Sequence, residues 1–210
     1  MASCKKIKIL IFGGTKFIGK ALIDAMDQKD FKIDVLSKKK TTNKKIYRFY
    51  KTELKYFEKF VIKKKYDYII DFISKDKNLL RKILLKVNFN KYIFISTVWL
   101  AKIDRYIKLD QPIKKVLLGN QVPKITKKYL INKHKLESLI LDMSSKKNNK
   151  LYILRLPIIL GNNDVTERLN FYTKRSLDGG GQIILKNRKI DLNLLHVDDL
   201  CTGIIKLIKN

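Results

Sequence analysis

Cysteine, proline, histidine and carboxylate are all scarce in this chain, and the shortages narrow what it can be. Its 210 residues hold two cysteines, three prolines, two histidines, and 19 acidic residues against 47 basic ones. Cys4 and Cys201 form no metal-ligand or redox spacing, so no metal is expected and a reducing, cytoplasmic setting fits. No run approaches the roughly 20 apolar residues of a membrane-spanning helix. Basic residues precede an apolar run at the N-terminus, as in a signal peptide, but Lys8 interrupts that run and a glycine turn follows at once. Internal repeats are also missing.

Lysine is what the chain has in excess. The formal net charge is +28, which can mark a nucleic-acid or membrane-surface binder. The lysines run through the whole chain beside abundant isoleucine and asparagine, a bias that AT-rich coding would also produce. With 45% hydrophobic and 10% aromatic residues the composition is globular, and the length suits one well-buried α/β domain with a small appended lobe.

The most informative stretch is Lys8-Ile9-Leu10-Ile11-Phe12-Gly13-Gly14-Thr15-Lys16-Phe17-Ile18-Gly19. Its apolar run has the length of a strand buried on both faces of a parallel sheet. Gly13 allows the tight bend that ends the strand, and Gly19 lets a helix over 17–28 pack close to the sheet. The N-terminus of that helix is a site for a pyrophosphate. Lys16 stands where a dinucleotide fingerprint usually has its middle glycine.

A second strand over 31–36 ends in Ser37-Lys38-Lys39-Lys40. An acid here would hold the adenosine ribose, whereas basic residues accommodate a 2′-phosphate. No acid is present, so Ser37, Lys38 and Lys39, with Lys16, favour NADP over NAD; a solvated lysine run is the other reading of the same residues. Further strands are expected over 46–50, 66–73, 91–95 and 150–156, with helices over 53–64, 76–88 and 126–144 between them. This alternation predicts a doubly wound, Rossmann-like parallel sheet over 1–156. The stretch 98–124 reads as loop over the strand ends, and 157–210 as a small C-terminal lobe with helices over 166–177 and from Asp198, and a strand over 182–185.

Tyr129 and Lys133 lie four residues apart, on one face of the helix over 126–144. A lysine ammonium there can lower the pKa of the phenol, and a tyrosine so tuned can exchange a proton with a substrate oxygen. The apolar stripe Leu136, Leu139, Ile140 and Met143 suits either the core or a partner helix.

The order of GGTKFIG, a strand ending in Ile95-Ser96-Thr97, Tyr129-x-x-x-Lys133-x-x-x-Glu137, Leu154-Arg155 leading to Gly161, and Leu195-His196-Val197-Asp198-Asp199-Leu200 resembles the extended short-chain dehydrogenase/reductase family, most of all its NAD-dependent epimerase/dehydratase group. The resemblance runs from Ile7 to the end of the chain. It implies a Rossmann fold that binds NADP or NAD, a substrate such as a nucleotide sugar, and a homodimer formed through the helices over 76–88 and 126–144. Carried over by motif, Thr97, Tyr129 and Lys133 are the catalytic residues. Gly13, Gly14, Thr15, Lys16, Phe17, Ile18 and Gly19, then Asp71, Phe72 and Ile73, then Pro157 and Ile159, line the cofactor with Ser37, Lys38, Lys39, Tyr129 and Lys133. Ser96 is a less favoured partner than Thr97 for the substrate oxygen. Arg155 and Arg168 are candidates for gripping substrate phosphate, since guanidinium suits bidentate contacts. Glu137 reads as a surface carboxylate paired with Lys133, and Asp198 or Asp199 as the cap of the last helix. Dehydratases of this family carry an Asp-Glu pair directly after the strand-end threonine, where this chain has Val98 and Trp99, so epimerisation or ketone reduction is expected instead. An atypical, non-catalytic member that binds RNA is the alternative, since +28 would supply a large electrostatic contribution.

Overall fold

The computed structural model describes residues 5–39, 41, 43–100, 124–144, 149–179 and 193–210, the side chains of 124–127 and 168 excepted. The loop expected over 101–123 and the strand expected over 182–185 lie outside the described residues.

Six parallel strands form one sheet: β1 (Ile7–Phe12), β2 (Phe31–Ser37), β3 (Ile46–Lys51), β4 (Lys65–Asp71), β5 (Asn88–Thr97) and β6 (Lys150–Leu156). Their order is β3-β2-β1-β4-β5-β6, and every pairing is parallel. The chain winds outward from β1 to β3, then returns to β4 and winds the other way. A crevice therefore opens between the carboxyl ends of β1 and β4, the place where such sheets take their ligands.

Side-chain alternation sends each strand into two cores. Ile9 and Ile11 of β1, with Ile93 and Ile95 of β5, face α1 (Phe17–Ala25) and α6 (Val197–Lys209). Leu10 and Phe12, with Tyr92 and Phe94, face α3 (Lys77–Lys86) and α4 (Lys124–Ser144). Being buried on both sides is why these strands read as unbroken apolar runs. Leu136, Leu139, Ile140 and Met143 are all buried in the second core, so that stripe is not a free partner face.

Several elements differ from the sequence expectation. The helix expected over 53–64 is only a single turn at Leu54–Tyr56 and α2 (Glu58–Val61), because Leu54, Phe57 and Val61 alone are buried there and can offset little ordering entropy. The last helix begins at Val197, with His196 as its cap: the ring Nδ1 accepts from the Asp198 amide at 3.4 Å. Asp198 and Asp199 instead occupy the first turn, where carboxylates suit the helix dipole. Two three-residue strands, β7 (Ile158–Leu160) and β8 (Leu194–His196), pair in parallel as a separate small sheet near α5 (Arg168–Leu177) in sequence. Strands so short carry no periodicity, and only the pairing makes them. Among the described residues no helix is long and apolar enough to cross a membrane, and no group of three potential metal ligands occurs.

Two glycines set opposite expectations for alanine. A Cβ on Gly19 would sit 2.3 Å from the Gly14 Cα, whereas one on Gly203 in α6 meets nothing within 4 Å. Urea unfolding should show Gly19→Ala destabilised by about 1–3 kcal/mol through overpacking. Gly203→Ala should gain roughly 0.5–1 kcal/mol from reduced backbone freedom in the unfolded chain.

Candidate functional site

The crevice is built first by the glycine turn. Gly13 and Gly14 take φ of 96° and 83°, conformations that glycine alone reaches without strain, and Phe17 opens α1 at φ 32°. The Gly13 amide donates to the Leu36 carbonyl at 2.9 Å, which ties the turn to β2. Lys16 holds the helix N-cap position in an extended conformation that needs no glycine, and its side chain does not cap the helix. The first-turn amides of α1 are thus left without a side-chain acceptor, and with the close-packed glycines they fit a pyrophosphate.

The end of β2 completes this half. Ser37 Oγ lies 3.1 Å from Thr15 Oγ1. Lys39 stands close enough to Lys16 to push the Lys16 pKa down, by donating to the Lys16 neutral amine and by like-charge repulsion of its ammonium. Two ammonium groups brought together beside an anion site are relieved by a bound anion. Lys38 is not part of that pair, because its ammonium meets Glu53 at 3.2 Å. Sequence offers no motif for Glu53, a carboxylate just past β3 in a chain with few acids.

The second half is a cavity of about 1100 Å³ whose lining includes Phe72, Ile73, Ser96, Tyr129, Asn132 and Lys133. Phe72 and Ile73 leave the end of β4 and also close against Gly13, so the turn and the cavity adjoin. Asn132 Nδ2 donates to the Lys75 carbonyl and fixes α4 to the loop after β4.

Tyr129 is 48% exposed and Lys133 only 8% exposed. The Lys133 ammonium donates to the Ile95 carbonyl at 2.7 Å and lies 4.4 Å from the centre of the Phe94 ring. Burial lowers its pKa, while the buried carboxylates of Asp71 and Glu137 pull it back up. The lowering of the Tyr129 pKa expected from Lys133 is not present in this geometry. Burial instead raises it, so the phenol keeps its proton at neutral pH.

Of the hydroxyls at the end of β5, Thr97 Oγ1 accepts from the Trp99 amide at 3.3 Å, which supports the single turn Val98–Leu100 and leaves its own proton to donate. Ser96 lines the cavity, and its buried Oγ has no hydrogen-bond partner among the described residues. An unpaired buried hydroxyl is costly, and sequence alone ranks it below its neighbour.

Several residues expected at the site have partners within the protein. The Asp71 carboxylate is fully buried and accepts from the Ile73 and Ser74 amides, both at 2.9 Å, and from the Tyr92 hydroxyl. The Ile159 side chain, 4% exposed, belongs to the core against α6, while Pro157 is half-buried between β6 and β7. Arg155 is paired inside the protein: its Nη2 donates to Glu137 Oε2 at 2.7 Å and its Nε to the same carboxylate at 3.2 Å. Glu137, expected on the surface, is 1% exposed. Arg168 begins α5 on the far side of β7 in sequence, and its side chain lies outside the described residues.

A glycine turn at a topological switch point, adjoining a cavity walled by a Tyr-x-x-x-Lys helix, defines a Rossmann-type protein with a dinucleotide-binding edge. The profile of the NAD dependent epimerase/dehydratase family matches residues 9–210, and the chain belongs to that family. No curated protein matched the chain by sequence. Among solved structures it is similar to a dTDP-glucose 4,6-dehydratase from Bacillus anthracis in complex with NAD, at TM-score 0.73 and 18% identity, over 96% of this chain and 71% of that one. A UDP-N-acetylglucosamine 4-epimerase from Bacillus cereus aligns at TM-score 0.72 and 15% identity, over 98% and 72% of the two chains. The UDP-glucuronic acid 4-epimerase of Bacillus cereus, in complex with UDP-glucuronic acid and NAD, aligns at TM-score 0.69 and 16% identity, over 97% and 74%.

The Arg155–Glu137 pair tests how α4 is held. Arg155→Ala leaves a buried carboxylate unpaired and should cost about 3–5 kcal/mol in urea unfolding. Arg155→Met combined with Glu137→Leu removes both charges and should recover most of that loss.

Proposed function

We propose that the chain is an NADP-dependent oxidoreductase or epimerase acting on a secondary alcohol or ketone of a nucleotide sugar. The observation that carries this reading is the shared cavity of Tyr129, Lys133 and the end of β4, continuous with the glycine turn through Ile73 and Gly13. The sugar-nucleotide enzymes of the same fold support the substrate class.

A bound nicotinamide would supply hydride transfer at the carbinol carbon. Tyr129 exchanges the proton at the substrate oxygen; with its pKa raised, it stands in the acid form, set to protonate a ketone. Thr97 donates a hydrogen bond to the same oxygen and keeps its proton. Lys133, once drawn from the Ile95 carbonyl, holds the nicotinamide ribose and favours the phenolate when the reaction runs as an oxidation. Gly13 to Gly19 take the pyrophosphate. The Lys16–Lys39 pair and the absence of an acid at Ser37 favour a 2′-phosphate, hence NADP over the NAD held by the neighbours. Val98 and Trp99 offer no acid for eliminating water, so epimerisation or reduction is preferred to dehydration.

In this reading residues 157–210 supply small substrate-lobe segments and the last helix, packed on the 1–156 core, and the protein works in the cytoplasm as a homodimer through α3 and α4. Exposed Leu85, Ile131 and Leu141 on those helices are the contact residues, in place of the buried stripe.

Fluorescence titration should show tighter binding of NADPH than NADH, with the preference reduced in Lys16→Ala combined with Lys39→Ala; equal or reversed affinities would overturn the cofactor assignment. In assays on a panel of nucleotide sugars, Tyr129→Phe should lose about 10²–10⁴-fold in kcat. A rate equal to the parent would remove Tyr129 from the mechanism. Light scattering should give twice the chain mass, falling to one chain in Leu85→Glu combined with Leu141→Glu.

A further inference from the structure

A second concentration of charge lies at the opposite end of the sheet from the glycine turn. Lys8, Lys32, Arg48, Lys63, Lys64 and Lys65 line a pocket of about 290 Å³ together with Asp34, Tyr47 and Tyr66. Four neighbouring strands each send a cation there: Arg48 from β3, Lys32 from β2, Lys8 from β1 and Lys65 from β4. Lys8 and Lys32 are direct register partners, and like charges facing each other across strands destabilise a sheet.

Little among the described residues offsets this crowding. Asp34, 5% exposed, accepts from the Tyr66 hydroxyl at 2.9 Å and the Tyr50 hydroxyl at 3.2 Å, and it meets the Lys64 ammonium at 3.7 Å. Asp67 accepts from the Lys8 backbone amide at 2.8 Å. Among the described residues Lys8, Lys32, Arg48, Lys63 and Lys65 form no ion pair with a carboxylate. The Lys32 ammonium lies 3.8 Å from the centre of the half-exposed Tyr47 ring and the Arg48 guanidinium 5.0 Å. Hydrogen bonding from Lys32 and Arg48, and then their positive charge, pull the Tyr47 pKa down.

We propose that this pocket is a phosphate-binding site, separate from the dinucleotide crevice and formed by cations converging from four adjacent strands. Its position at the amino ends of the strands makes it independent of the redox reading. A small polyphosphate and the backbone of single-stranded RNA share the chemistry it recognises, and two probes separate them.

The test is calorimetric titration of the full chain with inorganic tripolyphosphate and with a short oligouridylate, over a range of salt. Lys32→Gln combined with Arg48→Gln should weaken binding of at least one probe by about tenfold or more, two charge-assisted contacts being lost. For the oligonucleotide, the log–log salt slope should flatten by about 1.4, at roughly 0.7 per neutralised phosphate. Lys77→Gln combined with Lys206→Gln removes the same charge from exposed positions outside the pocket and should leave both affinities within about twofold. Dependence on Lys32 and Arg48 with tripolyphosphate alone assigns a small anion, and with the oligonucleotide alone a nucleic-acid strand. Equal losses in the two double variants would mean that the +28 charge attracts anions diffusely and would overturn the site. Binding unaffected by Lys32 and Arg48, or absent for both probes at low salt, would overturn it as well. Far-UV spectra and melting of each variant confirm that the fold is kept.

Discussion

The carboxyl edge of the sheet depends on one close approach, that of α1 to the turn before it. With 2.3 Å between a notional Gly19 Cβ and the Gly14 Cα, no side chain fits at position 19, and the helix can come down onto the turn only because glycine is there. That approach aims the uncapped first turn of α1 into the crevice beside β4. It also places Ile73 against Gly13, so that the anion site and the Tyr129 cavity share a wall. Gly13, Gly14 and Phe17 all take left-handed backbone at this turn, as is common where a fold keeps local strain for a ligand.

The other half of the site rests on buried charge. Lys133 is a cation held at 8% exposure, and burial alone would drive it toward the neutral amine. The Ile95 carbonyl, the Phe94 ring and the nearby carboxylates of Asp71 and Glu137 keep the ammonium tolerable. Each carboxylate is in turn committed elsewhere, Asp71 to two amides and a tyrosine, Glu137 to Arg155. The charges form a linked set running from β4 through α4 to β6, which is why α4 sits where Tyr129 can reach the cavity. Such a set adds little net stability over an apolar core, and its value lies in fixing position.

The lysine excess acts differently at the two ends of the sheet. At the carboxyl end Lys38 is paired with Glu53, and among the described residues Lys16 and Lys39 remain beside the anion site. At the amino end the cations of four strands meet a single buried carboxylate, Asp34, which two tyrosines and Lys64 already occupy. Composition sets the total charge, but the register of β1 on β2 brings Lys8 opposite Lys32.

The sequence by itself determined the sheet, the glycine turn and the Tyr129–Lys133 face. Strands buried on both sides must be continuous apolar runs, and helices between them must carry a stripe, so local pattern and fold coincide from β1 through β6. The tight turn needed glycine at positions that any reading of the chain can see. Only the tertiary structure decided which charges are spent internally. Arg155 and Glu137, 18 residues apart, look like a ligand grip and a surface acid until β6 lies beside α4 and joins them. The Tyr92 hydroxyl reaches Asp71 only because β5 lies beside β4, and among the described residues the Thr97 hydroxyl has the Trp99 amide while that of Ser96 has no partner. β7 and β8 exist only through each other. The reason is common to all of these: a polar side chain is written identically whether it faces water, a ligand or another residue, and long-range packing alone assigns its partner.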